Sequence, residues 1–307
     1  MSWMPCADPD MDSHECPSNV EMVIIPRTHD IGGFEVQRAL PFAKRRMVGP
    51  FIFWDQMGPG EFVTGNGIDV RPHPHIGLST VTYLFKGTMD HKDSLGTNMR
   101  ITPGDVNLMT AGKGIVHSER TGMDVREQPH GLFGIQSWLA QPKSHEQGDC
   151  AFTHIGKNDL PSFNDNGITG RVIMGEFQGL KSPAPMQWDT LYVDCIIDDG
   201  KTLEIPALAE ERALYLLDGQ VEFAHVTYDS GRMLVLAPNE TVTLKAKGRV
   251  HLLILGGATM DGPRKIWWNF VASDPEILEQ AKSDWKERRF PVVPNDEEEF
   301  IPLPDGS

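Results

Sequence analysis

Two pairs of polar side chains have the spacing that a metal site on β-strands requires. His73 and His75 are one residue apart in RPHPHIGLSTVTYLFKG, and His117 and Glu119 are one residue apart in AGKGIVHSE. Residues i and i+2 of a strand point to the same face, so each pair offers two ligand atoms in one direction. Three imidazoles and one carboxylate suit a borderline divalent ion, which includes iron, manganese, cobalt, nickel, copper and zinc.

The ligand types favour an open site over a closed one. A structural zinc site uses four ligands, usually with cysteine among them. An octahedral ion held by three histidines and a carboxylate keeps two positions for water, substrate or dioxygen. Each pair taken alone is a weak signal, because histidine at a strand end is often a satisfied polar residue. Two same-face pairs in one domain favour metal binding.

Short strands must position these residues. Apolar runs along the chain are short, alternating or β-branched, and Gly and Pro bound them, which is typical of an all-β sandwich or barrel. Pro74 lacks a backbone donor, so we expect the first pair on an edge strand or at the start of a strand. Gly112 and Gly114 predict a tight turn immediately before the second pair.

The strand pattern occurs twice in the chain. VTYLFKGTMDH at 81–91 is similar to ALYLLDGQVEF at 213–223, and GDVNLMTAGKGIVHSE at 104–119 is similar to GRMLVLAPNETVTLKA at 231–246. This repeat predicts two similar β-domains in tandem. The two segments repeat at spacings of 132 and 127 residues, and these spacings place apolar residues at the four candidate positions: Ile205, Ala207, Leu244 and Ala246. Because all four polar residues are replaced together, we infer that they act together in the first copy.

Four segments are expected along the chain. They are a polar N-terminal tail at 1–20, an N-terminal metal-binding domain at 21–145, a C-terminal domain without metal at 146–265, and a C-terminal helix and tail at 266–307. The helix is predicted because Ile277, Ala281 and Trp285 recur at helical spacing after a Ser-Asp-Pro start signal. The acidic run NDEEEF at 295–300 is expected on a solvated surface.

Composition excludes several function classes. The 307 residues carry a formal net charge of −15, and a protein that binds phosphate backbones needs a basic face, so direct nucleic-acid binding is disfavoured. No run approaches the roughly 18 apolar residues that a membrane span needs. The N-terminus lacks the features of a secretory signal, and four scattered cysteines indicate free thiols in a reducing compartment. We expect a cytoplasmic monomer, or a nuclear one if the source is eukaryotic.

A second metal site near the N-terminus is not expected. Cys6, His14 and Cys16 lie close together in the sequence. Their spacing matches no standard zinc pattern. A polar tail is therefore the preferred interpretation of this segment.

The segments HPHIGLSTVTYLFKG and GDVNLMTAGKGIVHSE resemble the pirin family of the cupin superfamily, and the C-terminal segment from WWNF to FIPLP resembles the tail of many bacterial pirin-like proteins. The resemblance covers nearly the whole chain. It implies a bicupin fold with metal only in the N-terminal domain, held by His73, His75, His117 and Glu119. One departure is Ser79, which stands where many pirins have a glutamate. We expect the surroundings of the metal to differ at that point.

The resemblance implies two alternative functions. Pirin-like proteins resemble quercetinases, which are metal-dependent dioxygenases that open the central ring of flavonols. The first hypothesis is therefore an oxidoreductase that acts on a flavonol or a related phenol, with Glu119 as general base. The alternative is a non-catalytic, iron-binding redox co-regulator that contacts transcription factors. In both cases we expect one divalent ion, iron(II) first, with nickel, copper, manganese, cobalt and zinc as alternatives.

Overall fold

The structure is a computed structural model of the chain, and it describes residues 3–4, 19–30, 34–223 and 225–304. Most of the expected N-terminal tail, including Cys6, His14 and Cys16, lies outside the described residues. The described residues form mainly β-strands, with two helices, which confirms the all-β class. Neither helix in these ranges is long and apolar enough to cross a membrane.

The strands and helices have the following bounds. The strands of the first half are β1 (Trp3–Met4), β2 (Val20–Ile24), β3 (Arg27–Asp30), β4 (Glu35–Leu40), β5 (Phe51–Phe62), β6 (Asp69–His75), β7 (Leu78–Lys86), β8 (Met89–Asp93), β9 (Asn98–Ile101), β10 (Val106–Thr110), β11 (Ile115–Arg120), β12 (His130–Ala140) and β13 (Ala151–Ile155). Those of the second half are β14 (Ser162–Asp165), β15 (Ile168–Met174), β16 (Glu176–Phe177), β17 (Leu180–Lys181), β18 (Thr190–Ile197), β19 (Thr202–Ile205), β20 (Glu211–Phe223), β21 (Val226–Asp229), β22 (Arg232–Leu236), β23 (Val242–Gly257), β24 (Lys265–Trp267) and β25 (Phe270–Ala272). The helices are α1 (Met123–Arg126) and α2 (Pro275–Lys286).

One compact unit comprises the described residues within Met1–Arg27, Arg38–Phe53 and Asn158–Thr259. Its ten-stranded sheet has the order β1-β2-β22-β20-β23-β18-β15-β14, with β19 paired to β23 and β21 paired to β20. Buried apolar side chains from these strands form one large core cluster. In β19 the alternating sequence Thr-Leu-Glu-Ile places Leu203 and Ile205 in that core, as the two-residue period of a strand requires.

The other compact unit comprises the described residues within Thr28–Gln37, Trp54–Lys157 and Met260–Ser307. It contains a four-stranded sheet of order β6-β11-β8-β9 and most of a seven-stranded sheet of order β13-β10-β7-β12-β5-β4-β3. Apolar side chains from both sheets meet in one buried cluster, for example Leu84 from β7 and Met89 from β8. This packing of two sheets makes the unit a β-sandwich.

The strand pairing of one unit recurs in the other. In the unit with the four-stranded sheet, β7 pairs with β10 and β12, and β6 pairs with β11. In the other unit, β20 pairs with β22 and β23, and β19 pairs with β23. All these pairs are antiparallel. The repeat inferred from the sequence is therefore also a repeat of hydrogen-bond pattern.

The pairing register shows which residues of the two copies are equivalent. Leu203 lies opposite Leu244 on β19 and β23, as His73 lies opposite His117 on β6 and β11. Since Leu244 is the counterpart of His117, the counterpart of His73 is Leu203. The fixed spacing used on the sequence pointed to Ile205 instead, and that match is wrong.

The same register makes Ile205, rather than the exposed Ala207, the counterpart of His75. The error arose because the connection from β19 to β20 is longer than the connection from β6 to β7. One fixed spacing cannot align the strands on both sides of connections that differ in length. The contrast between the copies remains, because the four counterparts all lie in the apolar core: Leu203, Ile205, Leu244 and Ala246.

Helix α2 forms where the sequence predicts it. Asp274 is its N-cap, and the side chain accepts a hydrogen bond from the backbone N–H of Glu276 at 2.9 Å. Pro275 occupies the first helical position, where its missing N–H has no cost. Leu278 and Ala281 are buried in a cluster with Phe270. The linear bounds of the four expected segments stay a prediction.

Candidate metal centre

The two histidine-bearing strands lie side by side in the four-stranded sheet. His73 on β6 is directly opposite His117 on β11, and His75 is opposite Ile115. Strand β6 is an edge strand, which confirms the expectation drawn from Pro74. Edge position also explains why proline is tolerated there, because its missing N–H leaves no gap in a central ladder.

A tight turn immediately precedes β11. Gly112 has φ +49°, a left-handed conformation that favours glycine. A Cβ atom at this position would approach the carbonyl oxygen of Gly148 to 2.2 Å. The backbone N–H of Gly114 donates to the carbonyl of Ala111 at 2.9 Å and closes the turn. The predicted turn is therefore present, and it sets where β11 and its side chains begin.

The three histidine side chains converge in the interior. The ring centroids of His73 and His117 are 4.3 Å apart, and each is 4.9 Å from the ring of His75. One nitrogen from each ring lies within 4.8 Å of the others. His75 Nε2 and His117 Nε2 face each other at 3.0 Å. His75 is 1% exposed and His117 is 0% exposed, so bulk water does not separate these nitrogens.

Backbone carbonyls determine which nitrogens of two of these rings are free to bind an ion. His73 Nδ1 lies 2.9 Å from the carbonyl of Arg71, and His75 Nδ1 lies 3.0 Å from the carbonyl of Asn269. A carbonyl oxygen only accepts, so both Nδ1 atoms carry the hydrogen and donate it. In a neutral ring the Nε2 atom then carries the lone pair, and that is the atom available to a metal ion.

The histidines are held in the neutral form that binds metal ions. Burial lowers the pKa of His73 to about 4. Burial, together with the neighbouring imidazoles, lowers the pKa values of His75 and His117 well below the ordinary value. Protons therefore do not compete for the Nε2 atoms near pH 7. Buried, neutral and convergent ring nitrogens fit a divalent ion.

Glu119 joins this group through His117. Its carboxylate and nitrogens of His117 and His91 lie within 4.8 Å of one another. Gln136 Nε2 donates a hydrogen bond to Glu119 Oε1 at 3.0 Å, and Thr82 Oγ1 donates to Gln136 Oε1 at 2.6 Å. Burial raises the pKa of Glu119, against the opposing influence of His91 and of the bond from Gln136. A raised pKa makes this carboxylate a better proton acceptor.

The structure thus brings all four sequence-predicted residues into one buried region. His73, His75 and His117 form one cluster, and His117 and Glu119 belong to a second cluster that shares His117. The register of β6 against β11 shifts between His117 and Glu119. Ser79 is buried and donates to Thr110 Oγ1 at 3.2 Å.

Sequence reasoning missed His91. This histidine lies on β8 and is 4% exposed. Its Nδ1 is 3.4 Å from His117 Nδ1, and its Nε2 is 3.1 Å from Asp93 Oδ2. The alternation of Met89, His91 and Asp93 in a short strand was the available signal, because those three share one face.

Comparison with known proteins places the chain in a family. The sequence pattern described as Pirin matches residues 33–139, and the pattern described as Pirin C-terminal cupin domain matches residues 192–291. The chain belongs to the pirin family. This result confirms the resemblance seen in the sequence, and with the structure it confirms a bicupin fold.

Individual relatives cover almost all of this pirin-family chain. A pirin-like protein of Caulobacter vibrioides is 46% identical over 289 residues, which is 93% of this chain and 100% of the relative. Pirin of Rattus norvegicus is 29% identical over 276 residues, which is 87% of this chain and 91% of the relative. The crystal structure of quercetin 2,3-dioxygenase from Acinetobacter baumannii has a TM-score of 0.85 and 34% identity, and the match covers 93% of this chain and 96% of that one.

Proposed function

We propose that this protein is a metal-dependent dioxygenase that opens the ring of a flavonol or a related phenol. The observation that carries the proposal is the convergence of three buried, neutral imidazoles beside a buried carboxylate. The similarity to a quercetin 2,3-dioxygenase over nearly the whole chain supports it.

The proposed ligands are His73, His75, His117 and Glu119. Iron(II) is the first candidate ion, and nickel, copper, manganese, cobalt and zinc are alternatives, because imidazole and carboxylate suit all of them. When bound, such an ion acts as a Lewis acid that lowers the pKa of a phenolic hydroxyl and brings an electron-rich substrate close to dioxygen.

The chain's own contribution to the proposed reaction is proton transfer and orientation. Glu119 takes the proton from the substrate hydroxyl, and its burial favours this role because it raises the pKa of the carboxyl group. Gln136 fixes Glu119 Oε1 by donating to it, and Thr82 in turn fixes Gln136. This chain of hydrogen bonds holds the Glu119 carboxylate in a fixed orientation.

The test combines metal content with oxygen uptake. Protein purified without added metal is analysed for its elements, stripped with a chelator, and reloaded with each candidate ion in turn. Oxygen uptake is then measured with quercetin and with a small set of phenols, and chelated protein serves as the control. We expect uptake that depends on both metal and phenol.

A negative result has a definite meaning. If the fully loaded protein consumes no oxygen with any phenol in the set, the enzyme proposal fails. The non-catalytic redox co-regulator then becomes the preferred hypothesis for the same metal centre.

A further inference from the structure

The three proposed histidine ligands differ in what holds the ring nitrogen that faces away from the metal position. For His73 and His75 the partner is a backbone carbonyl. For His117 the partner is the side chain of His91, which is 3.4 Å away between the two Nδ1 atoms. A carbonyl only accepts, whereas an imidazole nitrogen donates or accepts according to its tautomer. The tautomer of His117 therefore depends on that of His91.

The tautomer of His91 is set by Asp93. Asp93 Oδ1 accepts the backbone N–H groups of Leu95 at 2.9 Å and Thr97 at 3.1 Å. Its Oδ2 is 3.1 Å from His91 Nε2. A carboxylate accepts, so His91 carries its hydrogen on Nε2 and presents a lone pair at Nδ1. That lone pair accepts the Nδ1 hydrogen of His117, and the lone pair of His117 is then on Nε2, facing His75.

We propose that His91 and Asp93 are positioning residues that hold His117 in the tautomer whose Nε2 binds the metal ion. This inference rests on the proposed metal centre. It requires no oxygen chemistry, so this inference and the dioxygenase proposal can fail independently of each other. Removing the hydrogen-bond partner of a ligating histidine typically lowers metal affinity by about 10–100-fold.

The second copy of the repeat supports a role tied to the metal. His91 lies opposite Glu119, and the counterpart of Glu119, Ala246, lies opposite Val221. This strand pairing makes Val221 the counterpart of His91, although the sequence similarity of 81–91 to 213–223 aligns His91 with Phe223. Phe223 follows two residues after Val221, as Asp93 follows two residues after His91. Both Val221 and Phe223 are buried in the apolar core, so the polar pair is present only in the copy that has the candidate ligands.

A packing role alone is the competing explanation. The His91 ring stacks on Phe152 with centroids 4.6 Å apart, and a phenyl ring would fill that place as well. Packing does not depend on which nitrogen of His91 carries the hydrogen. A change that reverses the tautomer while keeping the shape therefore separates the two explanations.

Asp93→Asn is such a change. The amide oxygen keeps the hydrogen bonds from Leu95 and Thr97, so the NH2 group is turned toward His91 Nε2. His91 must then carry its hydrogen on Nδ1 and donate it to His117, which forces the His117 hydrogen onto Nε2. Replacing a carboxylate by its amide is known to select the wrong histidine tautomer in this way. His91→Phe keeps the stacked ring and removes both hydrogen bonds.

Affinity for Co²⁺ is measured by competition with a chelator, and its visible absorption reports the ligand geometry. We expect Asp93→Asn and His91→Phe to bind Co²⁺ about 10–100-fold more weakly than wild type. Asp194→Asn is the matched control, since Asp194 Oδ1 and His251 Nε2 form a 2.7 Å pair in the other unit; it should bind Co²⁺ like wild type. Thermal unfolding of the metal-free variants checks that they are folded.

Nitrogen-15 spectra of histidine in the Zn²⁺-loaded protein show which ring nitrogen carries the hydrogen. A role in packing alone would not determine that position. We expect a hydrogen on Nδ1 of His117 and on Nε2 of His91 in wild type. Unchanged Co²⁺ affinity in Asp93→Asn, or the opposite tautomers in wild type, would overturn the inference, and so would a wild type that binds no Co²⁺. Strong Co²⁺ binding without any oxygen uptake would remove the dioxygenase proposal and leave this one standing.

Discussion

The three proposed histidine ligands are expected to matter for metal binding and little for folding. His75→Ala removes one of three convergent ring nitrogens, whereas apolar burial supplies most of the folding free energy. We expect the variant to lose most of its metal affinity and to remain folded, as judged by bound metal and circular dichroism. His145→Ala, at an exposed histidine in the same unit, should keep the metal. Unfolding of metal-free His75→Ala at room temperature would show instead that the ion is structural.

Glu119 has two proposed roles that one substitution separates. Glu119→Gln keeps the size and one oxygen acceptor but removes the charge and the basicity. Loss of a general base typically lowers rates by about 10²–10⁴-fold, so oxygen uptake should fall far more than metal occupancy. Glu61→Gln, at an exposed glutamate, serves as the control. Full occupancy with near-normal uptake in Glu119→Gln would remove Glu119 from the mechanism.

The two pairs of candidate ligands were predictable from the sequence, whereas His91 was not, and the difference has a physical reason. His73 and His75 show their common face by their spacing alone, because side chains alternate along a strand. His91 comes near His117 only through the register of β8 against β11. Register depends on long-range pairing, which local spacing does not specify.

The described segment that follows α2 is hydrogen-bonded to both strands of the candidate metal centre. Ile301 N–H donates to the carbonyl of Pro72 on β6 at 2.9 Å. Asp296 accepts hydrogen bonds from Ser118 Oγ at 2.6 Å and from Arg120 at 2.8 and 3.1 Å on β11. Pro72 and Ser118 are sequence neighbours of the proposed ligands, so the segment supports the backbone that carries them. The acidic run was expected on a solvated surface, but the side chain of Asp296 is only 12% exposed.

Breaking this attachment should cost stability. Asp296→Asn weakens the charge-assisted bonds from Arg120 and leaves part of that donor group unpaired, so we expect a loss of about 1–2 kcal/mol in the free energy of unfolding. Glu299→Gln is the control, because Glu299 also pairs with Arg120 but its side chain is 55% exposed. Urea unfolding measures both variants. Equal effects of the two substitutions would contradict the argument.

The difference in unfolding free energy between wild type and Asp296→Asn should depend on pH. Burial acts to raise the pKa of Asp296, but the hydrogen bonds from Arg120 and Ser118 outweigh it and hold the pKa below its ordinary value. A carboxyl group with a depressed folded-state pKa stabilises the fold above its ordinary pKa and ceases to do so as the pH falls through the folded-state value. The difference between wild type and Asp296→Asn should therefore be full near neutral pH and shrink in acid.

Elements were predictable where a local signal was strong. Helix α2 has a capping aspartate, a proline at its first position and a helical apolar period, and it forms where expected. The correspondence of β6 with β19 was not predictable to the residue, because a connection of different length separates each from the following strand. Pairing register, and not sequence spacing, decides that match.

The whole chain is expected to hold one metal ion. Both copies share the same strand pairing, but only one has polar side chains at the ligand positions. The other has Leu203, Ile205, Leu244 and Ala246 in its core, and burying an ion there would leave its charge without partners. Elemental analysis of reloaded protein should give one ion per chain, and two tightly held ions would contradict this. The cytoplasmic location and the monomeric state stay predictions.

Equivalent positions in the two copies should respond in opposite ways to the same truncation. Ile205 is the counterpart of His75 and is fully buried among apolar side chains. Ile205→Ala removes buried methyl and methylene groups and leaves a cavity, which typically costs about 2–5 kcal/mol. We expect this variant to unfold at lower urea concentration while its metal content stays at the wild-type value. His75→Ala should show the reverse, with metal lost and the urea midpoint of the metal-free protein changed much less. Loss of metal from Ile205→Ala while it remains folded would show that the two copies are coupled, and that the ligand-free copy is more than a separate apolar core.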